Sequence, residues 1–493
     1  MINTPPLANA SAARGMLFTG GGFFLSLAGG LFTAAYTFRQ IGAHRYGVYI
    51  VLISILGLVA ILQTGLFQAA VRAASGETTE HRGDLDMVIL LNSFIAVVFL
   101  LMAGVLALLL PAVVTMRADQ SLEFRASAIL IGASSALTCW TASYSALAVS
   151  RSRFDLLFVG QACSLLARIS LLVLLLPAWG LAALGAASLA GASLERLVLG
   201  TWIRRTLPGF SLRPKLSTSS LHRFREYTGP VLVLSVTGTL MTLSDALVLN
   251  ALATTAAVGL YRVGAVVPQQ VSGMLQALFG VLFPRLVNAE GSEQRERLCA
   301  QASRPLCLGA GLFLGAGLVF APEAVNLLFG TRDPIAVTTF RLLAVALMLD
   351  FALHPLVNLV IARGRITPIA KYAPIELVFN LILTVGLVSL WGPAGAALAA
   401  LITILVSDFV IFPFLAVRLH VPGLRFIAVT AILPMLVGTL VITASTAAVA
   451  PVANGTARLA MATLGSAAAV LVIAAAIPTL RRDVAFLFGR SHS

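Results

Sequence analysis

The segment from Ser244 to Arg285 decides the fold; it reads SDALVLNALATTAAVGLYRVGAVVPQQVSGMLQALFGVLFPR. An apolar run ends in small and polar residues between Asn250 and Ala257, and a second apolar run stops at Pro284-Arg285. This pattern predicts two antiparallel membrane helices joined by a short turn. Asp245 and Arg262 each lie roughly five residues from the turn, so both charges lie about 7–8 Å below the membrane surface. At matched depth they either form a structural ion pair or face a water-filled site.

The composition is that of an integral membrane protein. Of the 493 residues, 59% are hydrophobic and 11% are charged, and the mean hydropathy is +0.97. In soluble domains, charged residues make up about 25%. The pI near 10.7 is also typical of nucleic-acid-binding proteins. However, the arginines cluster between apolar runs, as they do on the cytoplasmic face of a membrane. We therefore predict no nucleic-acid partner.

The motifs of common catalytic sites are missing from the sequence. No P-loop, nucleophile elbow or zinc-protease motif occurs, and the four cysteines have no metal-ligand spacing. We therefore predict no cofactor, no metal and no enzymatic activity. A membrane-embedded glycosyltransferase or polymerase would be expected to carry a sizeable polar loop, whereas the longest loop here is the segment 204–226.

Apolar runs of about 20 residues predict an all-α integral membrane protein with about 14 transmembrane helices. The predicted spans are 15–38, 46–70, 87–115, 126–149, 155–178, 180–203, 227–250, 258–283, 305–329, 338–362, 367–390, 393–417, 426–448 and 459–479. Loops after even-numbered spans and the two termini carry about 23 cationic residues, against about seven in the other loops. Because Lys and Arg favour the cytoplasmic side, both termini are predicted to be cytoplasmic.

Short motifs recur at a spacing of 212 residues; Gly47 and Gly259, for example, give 259 − 47 = 212. Tyr46-Gly47-Val48-Tyr49 corresponds to Val258-Gly259-Leu260-Tyr261, Arg151 to Arg363, and Trp179-Gly180 to Trp391-Gly392. The predicted organisation is an N-lobe of six spans (1–203), a cytoplasmic linker (204–226), a C-lobe of six spans (227–418), and spans 13 and 14 with a cytoplasmic tail (419–493). Because six is even, the two six-helix lobes are parallel repeats.

The same residues carry a family resemblance. Phe38-Arg39-Gln40-Ile41-Gly42 with the following Tyr46-Gly47-Val48-Tyr49, Asp245 with Val258-Gly259-Leu260-Tyr261, and Gly392-Pro393-Ala394-Gly395 resemble motifs of bacterial polysaccharide-biosynthesis flippases of the Wzx type. Their superfamily, the MOP superfamily, also contains multidrug exporters and the lipid II flippase. The resemblance implies a secondary transporter of the inner membrane that moves polyprenyl-diphosphate-linked oligosaccharide to the outer leaflet. It also implies export of O-antigen, capsule or exopolysaccharide, with polysaccharide polymerase and glycosyltransferases as partners.

An anionic headgroup crossing the membrane needs a hydrated cavity lined with cations. Arg168 and Arg196 are the first candidates for the diphosphate, because they are predicted within spans and guanidinium binds phosphate oxygens bidentately. Arg262 is the next candidate, although Asp245 is placed to neutralise it. Arg39 and Arg45 lie at the predicted outer surface, where they either receive the headgroup on exit or anchor the helices at the interface.

Titratable residues within the spans of the C-lobe are candidates for coupling or gating; they are Asp245, Asp350, His354, Glu376 and Asp408. Arg196 and Asp408 are equivalent in the repeat (408 − 196 = 212), so they either meet across the pseudo-symmetry axis or pair within their own lobes. Asp350 and His354 share a helix face. They either carry a proton, or His354 bonds a backbone carbonyl that Pro355 leaves free.

Two other transport functions stay open. Multidrug or metabolite exporters of the superfamily typically have twelve spans and an acidic residue in the first helix, whereas Gly15–Phe38 holds no Asp or Glu. The lipid II flippase also has fourteen spans, but its first helix is expected to carry a mid-membrane arginine, which this segment lacks. The sequence therefore favours the lipid-linked oligosaccharide.

Overall fold

The computed structural model describes residues 10–75, 79–113, 118–206, 236–280 except 242, 286, 289, 291–363, 366–414, 424–449 and 465. The helices are α1 (Ala10–Ser75), α2 (Thr79–Val113), α3 (Ala118–Trp140), α4 (Ala142–Ser150), α5 (Phe154–Trp179), α6 (Leu181–Thr206), α7 (Val236–Leu252), α8 (Thr255–Gly280), α9 (Ser292–Phe329), α10 (Pro334–Ala362), α11 (Ile366–Trp391), α12 (Pro393–Val406) and α13, from Leu424 to Val449. Throughout the described residues there is no β-strand. Ten helices within these described residues are long and apolar enough to cross a membrane, which is the architecture of an all-helical, multi-pass membrane protein.

The helices follow the predicted spans, with two irregularities near the N-terminus. α1 covers the first two spans and is interrupted at Gly42 (φ 76°, ψ 173°), a conformation that glycine adopts without steric cost. The fourth span is divided between α3 and α4 at Thr141. The fourteenth span, at 459–479, lies outside the described residues except for residue 465, so the count of about 14 remains a prediction.

Some helices extend well beyond the apolar runs. α9 begins at Ser292 rather than near residue 305. Its first turns are polar, so they lie outside the apolar run from which the span was predicted. Glu293 and Arg297 form an i,i+4 ion pair of 2.6 Å in this extension. Such pairs support an exposed helical turn by about 0.3–0.5 kcal/mol.

The contacts divide the chain into two compact units. Unit 1 comprises Met1–Gly259 and Ala370–Leu377, and unit 2 comprises Leu260–Ile369 and Val378–Ser493. The apolar core of unit 1 is built from α1, α2, α3, α5 and α6, and that of unit 2 mainly from α8, α9, α10 and α13. The predicted linker lies outside the described residues except for 204–206. The division into two parallel six-helix lobes therefore remains a prediction.

Several local features nevertheless follow the 212-residue register. α5 and α11 begin and end at equivalent positions, since 154 + 212 = 366 and 179 + 212 = 391. Both helices end at a glycine of positive φ, Gly180 (φ 50°) and Gly392 (φ 60°). The N–H of Gly180 donates to the Leu176 carbonyl (3.1 Å), and that of Gly392 donates to the equivalent Val388 carbonyl (2.8 Å). Two connections that require a positive φ thus share one geometry.

In unit 2, α9 and α13 pack against each other at two glycines, Gly311 and Gly438. A Cβ added at Gly311 would lie 2.7 Å from the carbonyl carbon of Met435, and one added at Gly438 would lie 2.9 Å from the amide nitrogen of Leu312. The hydroxyl of Thr439 donates to the Gly311 carbonyl at 3.0 Å. Small residues let the backbones of membrane helices approach this closely. The thirteenth predicted span is therefore packed directly onto the unit 2 core.

Candidate functional site

Arg168 lies near the middle of α5, on the face opposite to its exposed apolar residues. At about 100° per residue, it is about 180° around the helix from Val159 and about 200° from Leu166, both of which are exposed. The Cβ of Arg168 would lie 3.5 Å from a Cβ added at Gly191 of α6, so this face is turned towards α6. The residue is half-buried. Within the described part of the chain, no carboxylate pairs with it.

Arg196 is held inside unit 1 by two polar neighbours. Its Nη2 lies 3.3 Å from Oε1 of Glu195, and its Nη1 donates to Oγ of Ser145 on α4 at 2.7 Å. The side chain is only 10% exposed. The guanidinium thus joins α6 to α4 with its charge balanced by the adjacent carboxylate. A gate-like pairing of Arg196 with Asp408 remains a hypothesis; Asp408 lies in the π-helical segment Ser407–Ile411, which follows α12.

Arg45 is also part of a connection within unit 1. Its Nη2 lies 3.1 Å from Oε1 of Glu123, whose other oxygen accepts a hydrogen bond of 3.2 Å from the Leu181 N–H. Leu181 begins α6. A carboxylate at a helix N-terminus stabilises the unpaired N–H groups there. Glu123 therefore ties the first turn after Gly42 to the start of α6, while Arg39, on the other side of Gly42, is exposed.

Asp245 and Arg262, the two charged residues on either side of the turn between α7 and α8, belong to different units. Asp245 is 8% exposed within α7 of unit 1. Arg262 belongs to unit 2, where its Nη1 donates to the side-chain oxygen of Gln269, seven residues further along α8. Two helical turns separate the two residues, so the guanidinium extends along its own helix. Pairing of Asp245 with Arg262 remains a prediction.

His354 lies between two phenylalanine rings of unit 2. Its ring centroid is 6.0 Å from Phe279, edge-on, and 6.0 Å from Phe351, stacked. Asp350 lies one turn earlier on α10 and is half-buried. Glu376 is half-buried on α11, in the segment that belongs to unit 1. The predicted coupling roles of these residues remain predictions.

Hydropathy gave no sign of how prolines within the helices are accommodated. Pro177 has no N–H for the Val173 carbonyl, and the Tyr36 hydroxyl donates to that carbonyl at 3.3 Å. In the same way Pro322 leaves the Leu318 carbonyl free, and Nε of Arg341 donates to it at 3.0 Å. The sequence does contain one signal, because the carbonyl lies four residues before each proline. It does not contain the identity of the donor on the neighbouring helix.

A buried polar pair occupies the position in unit 2 that is equivalent to Arg168. Adding 212 to Arg168 and Gly191 gives Asn380 and Thr403, and Nδ2 of Asn380 donates to the Thr403 hydroxyl at 3.1 Å. Both residues are buried between α11 and α12. At equivalent positions, the α5–α6 contact of unit 1 therefore has a cation beside a glycine, whereas the α11–α12 contact of unit 2 has a hydrogen bond between two neutral side chains.

Several solved structures of transporters have a similar fold. The lipid II flippase MurJ, in an inward closed conformation, is similar with a TM-score of 0.72 and 13% identity over 93% of this chain and 98% of that chain. The Vibrio cholerae MATE transporter VcmN in the bent form is similar with a TM-score of 0.56 and 14% identity over 83% of this chain and 98% of that chain. For the inward-facing conformation of a multidrug resistance MATE family transporter of the MOP superfamily, the values are 0.56, 15%, 82% and 94%. At these identities the likeness shows the fold alone.

The sequence comparison identifies the family. No curated protein sequence matches the chain. Residues 13–290 match the family model described as polysaccharide biosynthesis protein. The matched segment has 278 residues (290 − 13 + 1) and covers more than half of the 493-residue chain. The resemblance found in the sequence is confirmed, and the protein belongs to the polysaccharide biosynthesis protein family.

Proposed function

We propose that this protein is a flippase that moves polyprenyl-diphosphate-linked oligosaccharide from the inner to the outer leaflet of the bacterial inner membrane. The product would serve export of O-antigen, capsule or exopolysaccharide, with a polymerase and glycosyltransferases acting on the same lipid carrier. The family match over residues 13–290 carries the proposal. A lipid-linked substrate is further supported by the fold, which resembles a lipid II flippase over 93% of the chain.

In the proposed mechanism, two six-helix lobes expose a hydrated cavity to one leaflet and then to the other, while the lipid tail stays in the bilayer. Arg168 is the best placed cation for the diphosphate. A charge within a span costs roughly 2.5–3.5 kcal/mol on insertion scales, so a guanidinium without a carboxylate partner is stabilised by a phosphate. Arg196, Arg262 and Arg45 already have protein partners and would have to exchange them. Arg39 would meet the headgroup near the turn at Gly42.

The first test measures transport in proteoliposomes with a fluorescent, short-chain polyprenyl-diphosphate oligosaccharide. Loss of a hydrogen bond to a charged group costs about 1.5–3 kcal/mol, so Arg168→Ala should slow transport by roughly 10- to 100-fold. Arg168→Lys, which keeps the charge but not the bidentate geometry, should retain an intermediate rate. Arg205→Ala removes an exposed arginine from the end of α6 and serves as the matched control. Equal rates for Arg168→Ala and Arg205→Ala would remove Arg168 from the site.

The same assay separates the alternative functions. Lipid II and a cationic rhodamine dye are offered in place of the oligosaccharide lipid, at the same concentration. Transport of the dye without transport of either lipid would identify a multidrug exporter. Transport of lipid II alone would identify a lipid II flippase.

A further inference from the structure

Three polar residues of α5 lie on one side of the helix, within the predicted span 155–178. At about 100° per residue, Gln161 lies about 20° and Ser164 about 40° around the helix from Arg168. The spacing i, i+3, i+7 makes them a row about 10 Å long. This row, formed by Gln161, Ser164 and Arg168, is the α5 polar face.

Gln161 is exposed on the side of α5 that is turned away from lipid. The exposed apolar residues Val159, Leu166 and Val173 lie about 140–180° around the helix from Arg168. Gln161 comes six residues after the start of the predicted span, about 9 Å below the membrane surface. A polar side chain that is exposed at this depth, on the side opposite to the apolar residues, faces water.

Glycines of two neighbouring helices leave room beside the α5 polar face. A Cβ added at Gly22 of α1 would lie 2.6 Å from Oε1 of Gln161. One added at Gly191 of α6 would lie 3.0 Å from Oγ of Ser164. Within the described part of the chain, neither of these side chains has a hydrogen-bond partner. The amide and the hydroxyl are therefore available to a ligand.

The equivalent side of α11 has a different chemistry. Adding 212 to the three positions of the α5 polar face gives Ala373, Glu376 and Asn380. Ala373 is buried, and Nδ2 of Asn380 already donates to Thr403. A carboxylate and an amide bound within the protein do not favour an anion. The headgroup of a diphosphate-linked substrate is therefore favoured on α5 rather than on α11.

We propose that Gln161 and Ser164 bind the sugar attached to the diphosphate, while Arg168 binds the diphosphate itself. This assignment rests on the proposed function, because it places the headgroup of that substrate along α5. An amide and a hydroxyl each donate and accept hydrogen bonds, as the hydroxyl groups of a sugar do. A diphosphate is an anion that only accepts them, so it favours the guanidinium. Gln161 and Ser164 are thus specificity-determining residues for the sugar next to the lipid carrier.

The first experiment tests whether the α5 polar face is in contact with water. Gln161→Cys and Ser170→Cys are made in a background without the four native cysteines and are reconstituted in nanodiscs. Ser170 is the matched control, because it is exposed on the same helix about 200° around from Arg168, among the apolar residues. A charged methanethiosulfonate reagent should modify Gln161→Cys roughly tenfold faster than Ser170→Cys, since the reactive thiolate forms in water and not in lipid. Equally slow modification of the two cysteines would overturn the assignment.

The second experiment compares two lipids in proteoliposomes, the polyprenyl-diphosphate oligosaccharide and the same diphosphate lipid without sugar. Gln161→Leu should raise the half-saturating concentration of the oligosaccharide lipid about 3- to 10-fold, the loss expected for one neutral hydrogen bond. Ser164→Ala should act in the same direction. Both variants should leave the sugar-free lipid unchanged, whereas Arg168→Ala should weaken both lipids. Ser170→Ala is the matched control for Ser164→Ala and should change neither.

The two experiments separate the sugar contact from the proposed function. Equal losses for both lipids in Gln161→Leu would overturn the sugar contact, while transport of the lipids by the wild-type protein would still support a flippase. Transport of neither lipid by the wild-type protein would count against the proposed function, and the sugar contact would fall with it. Rapid modification of Gln161→Cys would in that case still establish a hydrated face along α5.

Discussion

Side chains from neighbouring helices complete the hydrogen bonds that two prolines remove. The Tyr36 hydroxyl donates to the Val173 carbonyl, four residues before Pro177. Nε of Arg341 donates to the Leu318 carbonyl, four residues before Pro322. An unsatisfied carbonyl in an apolar environment costs about 1–3 kcal/mol, so these donors stabilise helices in which the prolines would otherwise leave a carbonyl unpaired. Arg341 lies within the predicted span 338–362, and its contact with the Leu318 carbonyl is structural.

A double-mutant cycle tests the contact between Arg341 and the Leu318 carbonyl. Arg341→Ala should lower the melting temperature in detergent by several degrees, because the Leu318 carbonyl loses its donor. In a Pro322→Ala background residue 322 regains its N–H, which can bond that carbonyl within the helix. There the same Arg341→Ala change should cost much less. Equal losses in both backgrounds would show that Arg341 does not act through the carbonyl.

Among the helices, the crossing of α9 and α13 offers the sharpest comparison between two glycines. Gly311 lies against the Met435 backbone, whereas a Cβ at Gly309 on the same helix meets nothing within 4 Å. Gly311→Ala should therefore strongly lower the yield of monodisperse protein and its melting temperature. Gly309→Ala should be neutral or stabilising, since alanine is favoured over glycine in helices by about 1 kcal/mol. A Gly311→Ala protein as stable as Gly309→Ala would contradict the packing described above.

Helix positions were largely predictable, and side-chain partners were not. The α5–α6 and α11–α12 pairs were predicted at 155–203 and 367–417, and the structure has helices at 154–206 and 366–406 with a π-helical continuation. Their turns were visible as Trp-Gly landmarks. The pairing of Arg196 with Glu195 and Ser145, or of Arg45 with Glu123, was not visible, because depth follows from sequence position while partners depend on how each helix is rotated about its axis.

For the protein as a whole, orientation is the property that the arginine distribution predicts most directly. His44→Cys should react in intact cells with a thiol reagent that cannot cross the membrane, because it lies beside the turn at Gly42 on the predicted outer side. Arg205→Cys, exposed at the end of α6, should react only after the cells are opened. Reaction of Arg205→Cys in intact cells, with protection of His44→Cys, would reverse the predicted topology. Both variants need the background without native cysteines.

The contact between α9 and α13 also restricts where a hydrocarbon chain could pass. At Gly311 and Gly438 the two backbones leave no room for even a methyl group, so the isoprenoid tail of the proposed substrate would have no passage between these helices. Because both glycines lie against the backbone of the other helix, a movement of α9 in the proposed transport cycle would have to carry α13 with it. The lipid tail of the proposed substrate would therefore have to pass along another part of the membrane-facing surface, and α13 would block it on this side.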